Sequence, residues 1–188
     1  MRTTDFNEQD KELMSLALYE AEQALHVGDY PVGAALTING ELVGQARNSI
    51  LTETQTTAHA EQKLLSSNSA QLRQLIREDE AYDICLYTTL EPCLMCLGVA
   101  VLHRVTRIVI ACPDPHGGAT KVNPNDLGSF YEEHWPSIDV GLMKTPAVDM
   151  IIKFLKTEKF LSWETMLASF SEMKASWQEM HDNRTTQR

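Results

Sequence analysis

Two short segments limit what this chain can fold into: His59-Ala60-Glu61 and Pro92-Cys93-Leu94-Met95-Cys96. Between them they supply one imidazole, two thiols and one carboxyl. If His59, Cys93 and Cys96 share an ion, two segments far apart in sequence must meet at one point. A Cys-x-x-Cys on the first turn of a helix aims both sulfurs at one spot, and the N–H groups of a helix start favour thiolate over thiol. Three protein ligands with an open fourth position are the arrangement of catalytic rather than structural zinc. Glu61, two residues from His59, is close enough to shuttle a proton without being a ligand. Zn²⁺ can bring the pKa of water to about 7, so the pattern predicts hydrolytic loss of ammonia from an amidine-like C–NH2 carbon.

Each piece alone has a plainer explanation. Cys93 and Cys96 could form half of a structural metal clip, but Cys85 and Cys112 stand apart and offer no second pair. A redox pair would leave His59 without a role. Glu61 could be an ordinary solvated helix residue.

The order of elements reads as α/β. Leu13, Leu16, Ala17, Ala21, Ala24 and Leu25 form a helical stripe. Asp5 with Glu8 could open that helix as a capping box, and Gly28 could close it. Strands are expected over 32–37 and 41–46, joined at the hairpin signal Asn39-Gly40. A helix follows from near Ala58 to Leu65, then a short one through Leu72, Leu75 and Ile76. A strand over 83–89 leads to Pro92, placed at the first helical position of the Cys93 helix. The strand over 105–111 then pairs in parallel with it through a right-handed crossover. Both metal-bearing helix starts thereby fall at strand C-terminal ends, where open α/β sheets carry their sites. Cys112 to Ser129, rich in Pro and Gly, reads as an active-site loop. Residues 147–180 read as helical, with Trp163, Phe170 and Trp177 as a packing stripe, and His181 to Arg188 as frayed.

These segments resemble the zinc-dependent nucleobase and nucleoside deaminases, whose signature is H-x-E…P-C-x-x-C. The similarity is to the branch of tRNA adenosine deaminases, guanine deaminases and yeast-type cytosine deaminases. It rests on Pro31-Val32-Gly33-Ala34, Ala58-His59-Ala60-Glu61, Thr89 through Cys96, and Arg107-Ile108-Val109-Ile110 running on to Asp114. The resemblance implies a three-layer α/β/α fold with a mixed sheet of about five strands. It implies Zn²⁺ on His59, Cys93 and Cys96, with Glu61 as proton shuttle. It also implies substrate contacts from Asn48, from the Ala58 main chain and from Asp114, and a homodimer with the Cys93 helix near the subunit contact. Gln55-Thr56-Thr57 departs from the Asp-Pro pair common before the metal histidine. Beyond about Pro136 the match fades, where specificity would be decided.

Bulk properties narrow the substrate. With 188 residues, 43% hydrophobic and 22% charged, the expectation is a single domain, its core over about 5–145 and C-terminal helices over about 147–180. No apolar run reaches membrane-spanning length, no signal peptide is evident, and four cysteines without paired spacing fit a reducing cytoplasm. The net charge is −10, and residues 1–30 hold seven acids against two bases. Proteins that grip tRNA gain affinity from Lys and Arg on phosphates. The acidic balance therefore favours a free nucleobase or nucleoside, with a guanine-, cytosine- or adenine-type ring. Wobble-adenosine editing of tRNA is the alternative, and a non-catalytic deaminase-fold subunit with structural zinc is a second.

Overall fold

The computed structural model describes residues 6–78, 81–157 and 163–185, with side chains described as far as Gln178. Helix α1, Glu8–His26, buries Leu13, Met14, Ala17, Leu18, Ala21 and Ala24, which is the predicted stripe. Its cap lies elsewhere than expected. Asn7 accepts from the Asp10 N–H at 2.8 Å, and the Asp10 carboxylate accepts from the Asn7 N–H at 3.1 Å. Asp5, the expected cap, lies outside the described residues. Both pairs obey the capping-box spacing of three, so spacing alone does not separate them.

Strands β1 (Gly33–Ile38) and β2 (Glu41–Arg47) form the hairpin. Asn39 and Gly40 both take positive φ, 51° and 83°, as a two-residue turn of the primed type demands. Helices α2 (Ala60–Ser67) and α3 (Ser69–Glu78) lead to β3 (Ile84–Leu90), α4 (Leu94–Leu102) and β4 (Arg107–Cys112). A 3-10 turn at Pro124–Asp126 and the short α5 (Ser129–Glu133) precede β5 (Ser137–Val140). Helices α6 (Lys144–Thr157) and α7 (Trp163–Thr185) complete the described chain. The α7 backbone is helical through Thr185, past the expected onset of fraying at His181; residues 186–188 lie outside the described set.

The sheet order is β2-β1-β3-β4-β5. The pairs β2/β1 and β1/β3 are antiparallel, while β3/β4 and β4/β5 are parallel, giving the expected mixed five-stranded sheet. Strand β5 had no sequence signal strong enough to locate it, since Ser137 and Asp139 break its apolar run at an edge. Helices lie on both faces. At Gly33, a side-chain carbon would sit 2.0 Å from the Ala17 carbonyl of α1. Gly44, paired with Leu36, instead faces Leu64 of α2. Positions 33 and 36 of one strand point to opposite faces, so α1 and α2 cover opposite sides.

A buried ionic knot ties one face together. Asp10 accepts from the Tyr87 hydroxyl at 2.9 Å and from Arg107 at 2.6 Å, and Arg107 also donates to Asp139 at 2.8 Å. These contacts join α1, β3, β4 and β5. Among the described residues no helix is long and apolar enough to cross a membrane.

Candidate active site

The site forms where two helices begin. His59 is the N-cap of α2 and Cys93 the N-cap of α4. The expected boundaries shift slightly: α2 starts at Ala60, and Pro92 sits one residue before the cap rather than at the first helical position. The result for the sulfurs is the same. Cys93 at the cap and Cys96 one turn on bring Sγ atoms together with the His59 imidazole, all donor atoms lying within 4.8 Å of one another. The Cys93 Sγ to His59 Nδ1 distance is 3.8 Å. Bonds of about 2.3 Å to sulfur and about 2.0 Å to nitrogen at tetrahedral angles put such donors about 3.5–3.8 Å apart. The donor set therefore fits Zn²⁺ in both chemistry and spacing.

Electrostatics favour the ligating form of Cys93. Hydrogen bonding from Cys96 and His59 pushes the Cys93 thiol down to about 3, despite its partial burial. The Cys93 thiolate in turn holds the proton of Cys96, whose burial acts in the same direction, so without metal the pair shares one proton. The hydrogen bond to Cys93 raises His59 above its ordinary value, while burial opposes that rise.

Glu61 is 3% exposed. Its Oε2 lies 3.6 Å from the Cys96 sulfur and its Oε1 3.4 Å from the Thr88 hydroxyl. Burial raises its pKa, favouring the protonated carboxyl. A carboxyl biased this way and set against the metal ligands is suited to take up and return a proton.

A cavity of about 290 Å³ opens over these groups. Asn48, buried at the end of β2, lines it. Its Oδ1 accepts from the Ile50 N–H at 3.0 Å, which orients the amide and leaves its NH2 as the group for a ligand. Asp114 also lines the cavity, its Oδ1 accepting from the N–H groups of His116 and Gly117. Ala58 is not part of the wall: its N–H donates to Gln55 and its carbonyl accepts from Ser49, both at 3.0 Å. The carbonyl keeps a second lone pair, so a substrate contact from the Ala58 main chain remains what the resemblance implies. Cys112 and Cys85 are buried and apart from the ligand cluster, and burial pushes each thiol up to about 12. His116 is exposed, as a loop histidine should be.

Two buried carboxylates hold the loops around the cavity. Asp29 accepts from the N–H groups of Leu51 and Thr52, at 2.7 and 3.1 Å, and from the Thr52 hydroxyl at 2.5 Å. That anchors the segment just after Asn48. Glu91 accepts from the Asp114 N–H at 2.9 Å and from the Thr120 N–H at 3.1 Å, pinning both ends of the Asp114 loop. Gly118 packs so tightly here that a β-carbon would lie 2.4 Å from the Glu91 carboxyl carbon. Glu91 stands inside the Thr89–Cys96 motif, so its presence was legible; its loop partners were not.

The rest of the wall was also missed from sequence. Tyr30, just before Pro31-Val32, lines the cavity with Trp163 and Met166 of α7. Tyr30 meets the Trp163 ring edge-on at 5.6 Å, and both rest on Phe154 of α6. The packing expected of the aromatic stripe holds for Phe170, which is fully buried, and for Trp177, which packs against the core under Lys144. It holds for Trp163 as well, which packs against the core and also forms part of the pocket. Seven-residue spacing says that such residues share a helix face, not what that face meets.

Comparison with known proteins agrees with this geometry. Residues 7–112 match the family described as the cytidine and deoxycytidylate deaminase zinc-binding region. The tRNA-specific adenosine deaminase of Bacillus subtilis (strain 168) is 34% identical over 148 residues, covering 79% of this chain and 89% of that protein. A chain solved in studies of A-to-I editing by tRNA:A34 deaminases is 28% identical, with a TM-score of 0.59 over 74% of this chain and 98% of the other. A guanine deaminase from Nitrosomonas europaea shares the fold at 22% identity, with a TM-score of 0.64 over 77% of this chain and 83% of its own. From the match over 7–112 and the identity to the Bacillus protein, the chain belongs to the cytidine and deoxycytidylate deaminase zinc-binding family.

Proposed function

We propose that this zinc-dependent hydrolytic deaminase acts on a free nucleobase or nucleoside. His59, Cys93 and Cys96 would hold the ion, which when bound supplies Lewis acidity and lowers the pKa of water to about 7. Glu61 takes one proton from the attacking water and delivers it to the ring nitrogen, then takes the second from the new hydroxyl on the ring carbon and delivers it to the departing amine as the C–N bond breaks and the carbonyl forms. Thr88 steadies the Glu61 carboxyl, and its burial keeps bulk water from competing for those protons. The Asn48 NH2 orients the ring, and Asp114 offers an acceptor beside it.

The observation that carries the substrate class is the wall itself. Its acidic members are Glu61, Glu91 and Asp114, no Lys or Arg lines it among the described residues, and Trp163 and Met166 close one side. A cavity of about 290 Å³ suits a single planar ring system, standing at the small end of the ~300–1,000 Å³ typical of ligand pockets. A second reading, wobble-adenosine editing of tRNA, is favoured by the adenosine deaminases among the relatives. It requires the base to be splayed out of its loop into this pocket.

The test is ammonia release measured over purine and pyrimidine bases, nucleosides, nucleotides and an anticodon stem-loop, at low and high salt, with zinc measured alongside. Salt-insensitive turnover of a small ring is expected. Activity confined to the stem-loop and falling steeply with salt would replace the leading reading with the second. A Glu61→Gln protein that keeps zinc and full activity would remove the proton shuttle. The exposed apolar residues Leu94 and Leu102 on α4, 67% and 60% accessible, support a homodimer through that helix; light scattering should give twice the monomer mass. The four free cysteines suit a reducing compartment such as the cytoplasm.

A further inference from the structure

We infer that the Tyr30 hydroxyl is a specificity group, donating a hydrogen bond to an acceptor on the substrate ring remote from the reacting amine. The inference rests on the small-ring reading above and adds the chemical feature that the ring must carry: a carbonyl oxygen or a pyridine-type nitrogen on its far edge.

Three observations converge on this residue. First, Tyr30 is held rigidly in the cavity wall. Its ring is 4.7 Å from Phe154 and 5.6 Å from Trp163, and the next residue is the fully ring-constrained Pro31 that starts the β1 approach. A group fixed on packed elements costs little to order when a ligand arrives. Second, the hydroxyl spends its proton on a poor partner. Its partner is the Met166 thioether, and thioether sulfur is a weak acceptor. A carbonyl oxygen or ring nitrogen is a far better one, so a ligand can take over this bond at a net gain. Third, the other polar groups of the wall are already assigned or spent. Glu91 is saturated by backbone N–H groups, Asn48 has only its NH2 to offer, and Asp114 only accepts. Tyr30 is thus a second donor in a pocket otherwise rich in acceptors. The nearby Asp114 carboxylate and burial both raise the phenol pKa, which keeps the proton on the oxygen at every working pH.

Packing alone would also explain an aromatic residue here, and the hydroxyl separates the two accounts. Tyr30→Phe keeps the ring contacts and removes only the O–H. Binding of guanine, adenine and cytosine to zinc-loaded Glu61→Gln protein is measured by calorimetry, with and without Tyr30→Phe. In parallel, kcat and KM are measured on whichever ring the parent turns over. The expected result is about tenfold to hundredfold weaker binding and a matching rise in KM, with kcat within about threefold, as loss of a binding bond rather than a transition-state bond requires. An analogue of the same ring lacking the far-edge acceptor should bind parent and variant equally. Equal affinity of parent and Tyr30→Phe for the preferred ring would overturn the inference and leave the deaminase reading intact. Failure of every ring to bind the parent would instead bring down the small-ring reading, and this inference with it.

Discussion

Glu91 provides the sharpest test of how the pocket is held. One carboxylate oxygen accepts from the Asp114 N–H at 2.9 Å and the other from the Thr120 N–H at 3.1 Å, with the Thr120 hydroxyl also against it. Glu91→Gln can satisfy only one side. The other side then sets an NH2 against an N–H, losing a charge-assisted bond of about 1.5–3 kcal/mol and leaving a buried donor unpaired. Because the two effects overlap, the expected loss is about 3 kcal/mol of stability, read as a shifted urea midpoint at unchanged slope. The released Asp114 loop should also cost about tenfold in kcat/KM, since each 1.4 kcal/mol of misplacement is a factor of ten. Gly118→Ala attacks the same joint from the opposite side, forcing a β-carbon to within 2.4 Å of the Glu91 carboxyl. Steric overpacking of this kind costs about 1–3 kcal/mol. In a Glu91→Ala background that carboxyl is gone and only the Asp114 carbonyl, 2.7 Å from the added carbon, still resists, so Gly118→Ala should become cheaper by about 1 kcal/mol, a coupling expected of neighbours. Independent effects, additive within about 0.5 kcal/mol, would refute the clamp.

Other outcomes follow from the same contacts. Cys93→Ala should cut bound zinc to a small fraction of the about one ion per chain expected of the parent, and abolish ammonia release; elemental analysis and a coupled ammonia assay check both. Asp29→Ala orphans two backbone donors of the segment after Asn48, and should raise KM more than it lowers kcat while costing about 3 kcal/mol in denaturant unfolding. Asp10 is held below its ordinary pKa mainly by hydrogen bonds from Arg107 and Tyr87, against the opposing effect of burial. Its contribution is therefore present above the unfolded-state value of about 4 and is lost as pH falls through the lower folded value. Asp10→Asn should lower stability at pH 7 by about 3 kcal/mol, since Arg107 keeps Asp139, and flatten the acid limb of stability against pH. Trp163→Ala should weaken ring binding at least about fivefold, in titrations followed by calorimetry, because a stacking face is worth about 1–3 kcal/mol.

The metal cluster was legible because its chemistry needs particular atoms at particular spacings, and few residue types supply them. The β-hairpin was legible because Asn39-Gly40 tolerates positive φ at both positions. The parallel β3/β4 pairing followed from a helix lying between two apolar strands. The unread features are tertiary. Strand β5 is an edge strand whose Ser137 and Asp139 dilute its pattern. Asp29 and Glu91 look like ordinary acids until the backbone donors that surround them are known. Tyr30 and Trp163 lie far apart in sequence, and periodicity along α7 could not tell that one of its packing aromatics also lines the cavity.

His59 and Cys93 each stand at the one position of a helix where Asn, Asp or Ser would serve the helix best, and neither makes a side-chain bond to its own first turn. Cap bonds of that kind contribute about 0.5–2 kcal/mol each. Exchanging either donor for a good cap would strengthen the scaffold while erasing its chemistry, so metal-stripped Cys93→Ser should unfold no earlier than the metal-stripped parent. Drift away from catalysis is downhill for folding in this architecture, and only selection for the reaction holds those two residues where they are.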